Sequence, residues 1–141
     1  MSMNSLVASS LAAVFICLSL LHAYWALGGR VGLDSAIPEL DGTPAFQPST
    51  LATLVVATGL ALCAVVIAQA AGILSLPTPR WIAVWLTRAL AAVLMLRAIG
   101  DFRLVGFFKR VRHTRFARLD TAIYSPLCLA LAIGCAYISV A

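Results

Sequence analysis

Charge is scarce in this chain. Asp, Glu, Lys and Arg make up 11% of its 141 residues, against about 25% in a soluble domain. Hydrophobic residues make up 62%, and mean hydropathy is +1.02. A 14.9 kDa globule cannot bury that much apolar surface, because small domains leave much of their surface exposed. Lipid is the natural solvent, so the chain reads as an integral membrane protein. The N-terminal MSMNSLVASS holds neither Lys nor Arg, and no small-x-small cleavage site follows its apolar run. A cleaved signal peptide is therefore not expected, and the first span stays in place. Cysteine pairs are missing too: Cys17, Cys63, Cys128 and Cys135 all lie in apolar runs, and none makes a CxxC. Cys128 and Cys135 would share a helix face but lie about 10 Å apart along it, beyond the reach of a disulfide. Buried free thiols are expected, and a quinone-linked thiol oxidoreductase is disfavoured. With no HExxH, no GxSxG and no His/Cys set at ligand spacing, neither a metal nor a cofactor is expected.

Long apolar runs are what the chain has instead. They cover residues 6–27, 51–74, 81–99 and 122–140, each about the 20 residues that a helix needs to cross a bilayer. No apolar/polar alternation suggests a β-barrel, and helices satisfy their own backbone in lipid. The expected fold is all-α, a four-transmembrane-helix bundle in a single domain, 1–141. Pro77-Thr78-Pro79 permits only a tight hairpin, making spans two and three antiparallel neighbours, with Trp81 and Trp85 near the interface. The 28–50 connection, with Gly28-Gly29 and Pro38, Pro44 and Pro48, reads as an ordered, turn-rich loop.

Four spans put the 28–50 and 100–121 connections on one face. That face holds Arg30, Arg103, Lys109, Arg110, Arg112, Arg115 and Arg118, and the other holds only Arg80. The imbalance predicts cytoplasmic basic loops and external termini. The 100–118 connection alternates these cations with Phe102, Phe107, Phe108, Val111 and Phe116. It reads as an interfacial segment with its rings inserted and Arg103, Lys109, Arg110, Arg112 and Arg115 on lipid phosphates. Membrane lipids are thus the expected partners. Basic-plus-aromatic also describes RNA-binding patches, but hardly any room exists for an RNA-binding fold, so no nucleic acid is expected.

Ionisable groups inside spans are costly and are the default functional candidates. One layer gathers at the basic face: His22, Tyr24 and Trp25 end span one, Arg97 and Asp101 close span three, and Asp120, Tyr124 and Ser125 open span four. Arg97 and Asp101 share a face if the helix continues through Gly100. Asp120 or Ser125 is placed to cap span four, and Ser125-Pro126 is a natural N-cap pair. A helix starting there leaves residues 120–125 as non-helical backbone. His22, Arg97, Asp101, Asp120 and Tyr124 would form a small ligand pocket, with Tyr24 and Trp25 beside it. The bland reading is an ion-pair lock fixing helix ends. A second layer centres on Arg88, whose face (Ala91, Ala92, Met95) points to the bundle interior. Three fates are open to it: snorkelling past Trp85, bonding Gln69 and helix carbonyls, or holding an anion.

The phrases HAYWALGG at 22–29, RAIGDFRLVGFFKR at 97–110 and TRFARLDTAIYSPLCL at 114–129 resemble a family of small bacterial four-span membrane proteins, domain of unknown function 3995. The resemblance implies a four-helix membrane protein of bacterial type and carries no activity; a bacterial inner-membrane location is expected. Three functions remain open. The first is binding or transport of a small amphiphilic or lipid-like molecule at the polar site. The second is a membrane-embedded enzyme pairing His22 with Asp101 or Asp120. The third is a structural accessory subunit, where Gly59, Ala61, Gly72 and Gly134 leave room for close helix contact within the chain, in a homo-oligomer or with a complex partner.

Overall fold

The computed structural model describes residues 2–40 and 42–141. Four long apolar helices, each able to cross a bilayer, make up the fold. Helix α1 (Met3–Ala26) begins at an N-cap whose Ser2 hydroxyl accepts from the Ser5 amide. A short helix α2 (Leu33–Ala36) and a two-residue ribbon, β1 (Glu39–Leu40) against β2 (Thr43–Pro44), lie in the first connection. Helix α3 (Thr50–Ala70) is capped by Ser49 in the same way, and α4 (Arg80–Ile99) follows the proline hairpin. The last span runs without a break through α5 (Arg115–Leu119), a π turn (Asp120–Tyr124) and α6 (Ser125–Ile138).

Packing follows the chain: α1 lies on α3, α3 on α4 and α4 on α6, and α6 touches α1 to close the ring. Phe15, Ile67, Ala64, Leu131 and Cys135 form the centre of the core. The Ser19 hydroxyl donates to the Ala57 carbonyl at 2.7 Å, joining α1 to α3 within the span. Most other large apolar side chains, including Leu20, Leu51, Val93 and Leu96, face outward. An exposed apolar belt of that extent calls for lipid around it. All four cysteines are free; Cys135 is buried, whereas Cys17 faces outward, so the expectation of buried thiols fails there.

Several element boundaries depart from the hydropathy reading, each for a local reason. The apolar run 51–74 stops being helix at Ala70 because Gly72 takes a left-handed φ of 74° and turns the chain. Gln69 then donates to the Thr78 carbonyl at 2.8 Å, and Arg80 Nε to the Ala70 carbonyl at 2.8 Å, closing the hairpin. Span four starts at Arg115 with Thr114 as its N-cap, not at Ser125. Pro126 therefore sits inside a helix, where it cannot donate to the carbonyl four residues back. The wider π turn immediately before it absorbs that misfit, so residues 120–125 remain helical. Of the small residues expected at helix contacts, Gly134 does pack closely, since a Cβ there would come within 2.8 Å of Leu11 Cδ2. Gly59 faces open space.

Arg88 does not point inward. It lies exposed with its guanidinium 4.8 Å from the centre of the Trp85 ring, and its Nη2 donates to the Ser139 carbonyl at 3.1 Å. That is the snorkelling arrangement with one helix carbonyl added, while Gln69 bonds Thr78 instead.

Candidate functional site

The polar residues at the loop end of the bundle fall into two separate groups. The first is built around Asp120, which is fully buried. Its Oδ1 accepts from Arg97 Nη2 at 2.7 Å, and its Oδ2 accepts from Lys109 Nζ at 3.0 Å and the Gly106 amide at 2.8 Å. Lys109 Nζ also donates to the Gly106 carbonyl at 2.9 Å and to Thr121 Oγ1 at 2.6 Å. An ammonium has three hydrogens and here finds three acceptors, so Lys109 is satisfied at 1% exposure. The expectation that Lys109 rests on lipid phosphate is thereby corrected: its charge is spent inside the protein.

Two glycines make this possible. Helix α4 ends at Gly100, whose φ of 98° turns the chain back on itself. Gly106 (φ 89°) then crosses directly over Gly100, and a Cβ on either would collide with the other's backbone. The crossing brings Phe107 back to donate to the Ala98 carbonyl at 2.8 Å and delivers Lys109 beside Asp120. It also separates Asp101 from Arg97, whose expected pairing required the helix to continue. Asp101 Oδ1 instead accepts from the amides of Arg103, Leu104 and Val105 at 2.9, 2.7 and 3.0 Å. Slight burial raises the Asp101 carboxyl, but those amides outweigh it and hold the group below the usual carboxylate range.

Tyr124 belongs to the same side. Its hydroxyl donates to the Ser35 carbonyl at 3.1 Å, linking span four to the first connection, and its ring lies 6.0 Å from Phe116. Phe116 is consequently buried and does not insert into lipid. Two buried atoms, Arg97 Nη1 and Ser125 Oγ, find no hydrogen-bond partner among the described residues. This cluster fits the ion-pair lock better than a ligand pocket.

His22 and Trp25 lie apart from it, on the α1–α3 side. His22 Nδ1 is 2.8 Å from the Leu18 carbonyl, Trp25 Nε1 donates to the Val31 carbonyl at 2.9 Å, and the two rings meet edge-on at 5.0 Å. Both line a cavity of about 510 Å³ beneath the first connection. Leu33, Ala36 and Phe46 close it from the connection, and Ala52, Thr53 and Val56 from the start of α3. Tyr24 is outside, half exposed, with its ring over Gly29. The expected single pocket of His22, Arg97, Asp101, Asp120 and Tyr124 is thus divided, because α4 with Arg97 sits across the bundle from α1, and Asp120 and Tyr124 bond Arg97, Lys109 and Ser35 instead of His22.

The acid–base couple of His22 with Asp101 or Asp120 does not form. Asp101 is occupied by amides and Asp120 by cations, and no carboxylate among the described residues bonds the imidazole. Sequence reasoning missed Lys109, Gly106 and Thr121 as partners of Asp120, and the wall supplied by residues 33–56. The one available signal was the glycine pair bracketing residues 101–105.

The lock is testable as a coupled unit. Asp120→Asn leaves two cations without a counter-charge and should cost about 3–5 kcal/mol of unfolding free energy, read by denaturant titration in mixed micelles. Lys109→Met should cost less, and the double variant should lose less than the sum of the two. Strict additivity would contradict a shared buried charge.

Neither a curated protein nor a solved structure matches the chain. A family model described as "protein of unknown function (DUF3995)" matches residues 15–135, which takes in His22, the glycine crossing and the Asp120 lock, and the chain belongs to that family.

Proposed function

We propose that the protein binds a small amphiphilic or lipid-like molecule in the cavity under the first connection. The observation that carries this reading is the cavity itself. At about 510 Å³ it falls within the size range of small-molecule sites, and its walls are apolar with a few polar groups. Its position at the end of two spans suits a molecule that enters from the bilayer with its head at the interface. His22 and Trp25 would contact the head, and the start of α3 the chain. Arg97, Asp120 and Tyr124 would act from a distance, holding the connection in place through the bond to Ser35.

Native mass spectrometry of gently extracted protein should show a retained adduct. Ala52→Trp, which fills the cavity, should lower its occupancy by at least about tenfold, as steric mismatch in an apolar pocket does. An adduct undiminished in Ala52→Trp, or no adduct in the wild type, would overturn the proposal.

We also propose a bacterial inner-membrane location with the loop face toward the cytoplasm. The excess of cations in the two connections supports that orientation. Exposed Arg103, Arg110, Arg112 and Arg115, with Phe102 and Phe108 set 6.4 Å apart, would then rest on anionic headgroups of the inner leaflet. With native cysteines replaced by alanine, Arg112→Cys should react with an impermeant maleimide in inverted vesicles and not in intact cells. Ser75→Cys should do the opposite. The reverse pattern would invert the topology.

A further inference from the structure

The walls of the cavity also limit what kind of head it can accept. No Asp, Glu, Lys or Arg lines it among the described residues. Most of its polar groups are already spent on backbone. Ser49 Oγ accepts from the Ala52 amide, Thr53 Oγ1 donates to the Ser49 carbonyl at 2.9 Å, and Trp25 Nε1 serves the Val31 carbonyl.

His22 leaves one ring nitrogen without a backbone partner, and its orientation is defined. The Leu18 carbonyl can only accept, so the imidazole nitrogen 2.8 Å from it, Nδ1, carries the hydrogen. In the neutral ring Nε2 then presents a lone pair. Trp25 packs edge-on against the ring at an interplanar angle of 66°, which holds the imidazole in that pose. Among the described residues Nε2 has no hydrogen-bond partner, and it is not among the buried unpartnered atoms, so it is open to a ligand. The Gln47 amide, exposed at the rim, likewise makes no side-chain bond among the described residues.

From this we infer that the occupant is an uncharged amphiphile with a hydroxyl head, whose O–H donates to His22 Nε2. Fatty and polyprenyl alcohols, monoacylglycerols and quinols share this chemistry. The inference rests on the cavity reading above and narrows it. A phosphate or carboxylate head would bring a full negative charge to a wall whose one chargeable group is the His22 imidazole, and burying a charge on so few partners is far costlier than burying a hydroxyl that finds an acceptor. No cation in the lining relieves that cost, since Arg30 of the same connection is exposed and outside it. Lys109 is consumed by Asp120, and Arg97 lies on the α4–α6 side, outside the lining.

The test uses the full chain in phosphatidylcholine nanodiscs, in a Trp81→Phe/Trp85→Phe background that leaves Trp25 as the sole tryptophan. Dodecanol and dodecyl phosphate, brominated at the same chain carbons near the head, serve as probes through quenching of Trp25. Dodecanol should quench saturably, with half-saturation at least about tenfold below that of dodecyl phosphate. His22→Phe, which keeps the ring shape without Nε2, should raise the dodecanol half-saturation by about tenfold. His22→Gln, whose amide oxygen can stand in for Nε2, should restore most of the affinity. If dodecyl phosphate saturates equally well, or His22→Phe leaves dodecanol unaffected, the hydroxyl-head inference falls while the cavity reading survives. If neither probe saturates, both fall.

Discussion

A single buried carboxylate shared by two cations holds the loop end of this protein together. Asp120 draws Arg97 from α4, Lys109 and the Gly106 amide from the second connection, and thereby joins three stretches of chain at one point. In a medium with little water the arrangement is stable only as a whole. Removing one partner strands a charge, and the desolvation penalty of each member is met by the others. The cost is visible at Arg97 Nη1, buried without a partner. The same fixed end carries Tyr124, whose bond to Ser35 holds the first connection against span four. The roof of the cavity is therefore positioned partly by a lock on the other side of the bundle.

This division of labour separates charge from the proposed binding site. Arg97, Lys109 and Asp120 are consumed in structure, and the cavity is left with an imidazole, an amide, two hydroxyls and apolar walls. A reading based on charge alone places the ligand at Arg97. The geometry favours His22, and with it a different class of ligand. It also commits Asp101 and Asp120, the carboxylates that an enzyme reading pairs with His22, to other partners.

The spans were legible in the sequence because hydropathy sums over some twenty residues and tolerates local exceptions. The Asp120–Arg97 proximity was foreseeable in outline, since both residues sit where spans three and four meet the same face. Lys109 was not. In a run of Arg and Phe it reads as one more interfacial cation, and its fate depends on a backbone crossing at Gly100 and Gly106 that no periodicity encodes. Pro126 misled for a related reason: Ser-Pro is a good helix start by local chemistry, but the Thr114 cap, the contact of α5 with α2 and the bonds to Asp120 outweigh it, and a π turn takes up the difference. The cavity needed the fold of residues 33–49 over α1 and α3, which Pro38, Pro44 and Pro48 hint at without specifying.

Lys109 is the only lysine in the chain, which makes the central ion cluster directly measurable. The rate at which an amine-reactive ester modifies it can be followed by mass spectrometry in bilayers, and compared with the rate in the unfolded protein and in Asp120→Asn. A lysine held by three acceptors and excluded from water should react at least about a hundredfold more slowly in the native bilayer form, a population shift worth nearly 3 kcal/mol. Asp120→Asn should release most of that protection. Modification of native Lys109 at the unfolded rate would contradict the account.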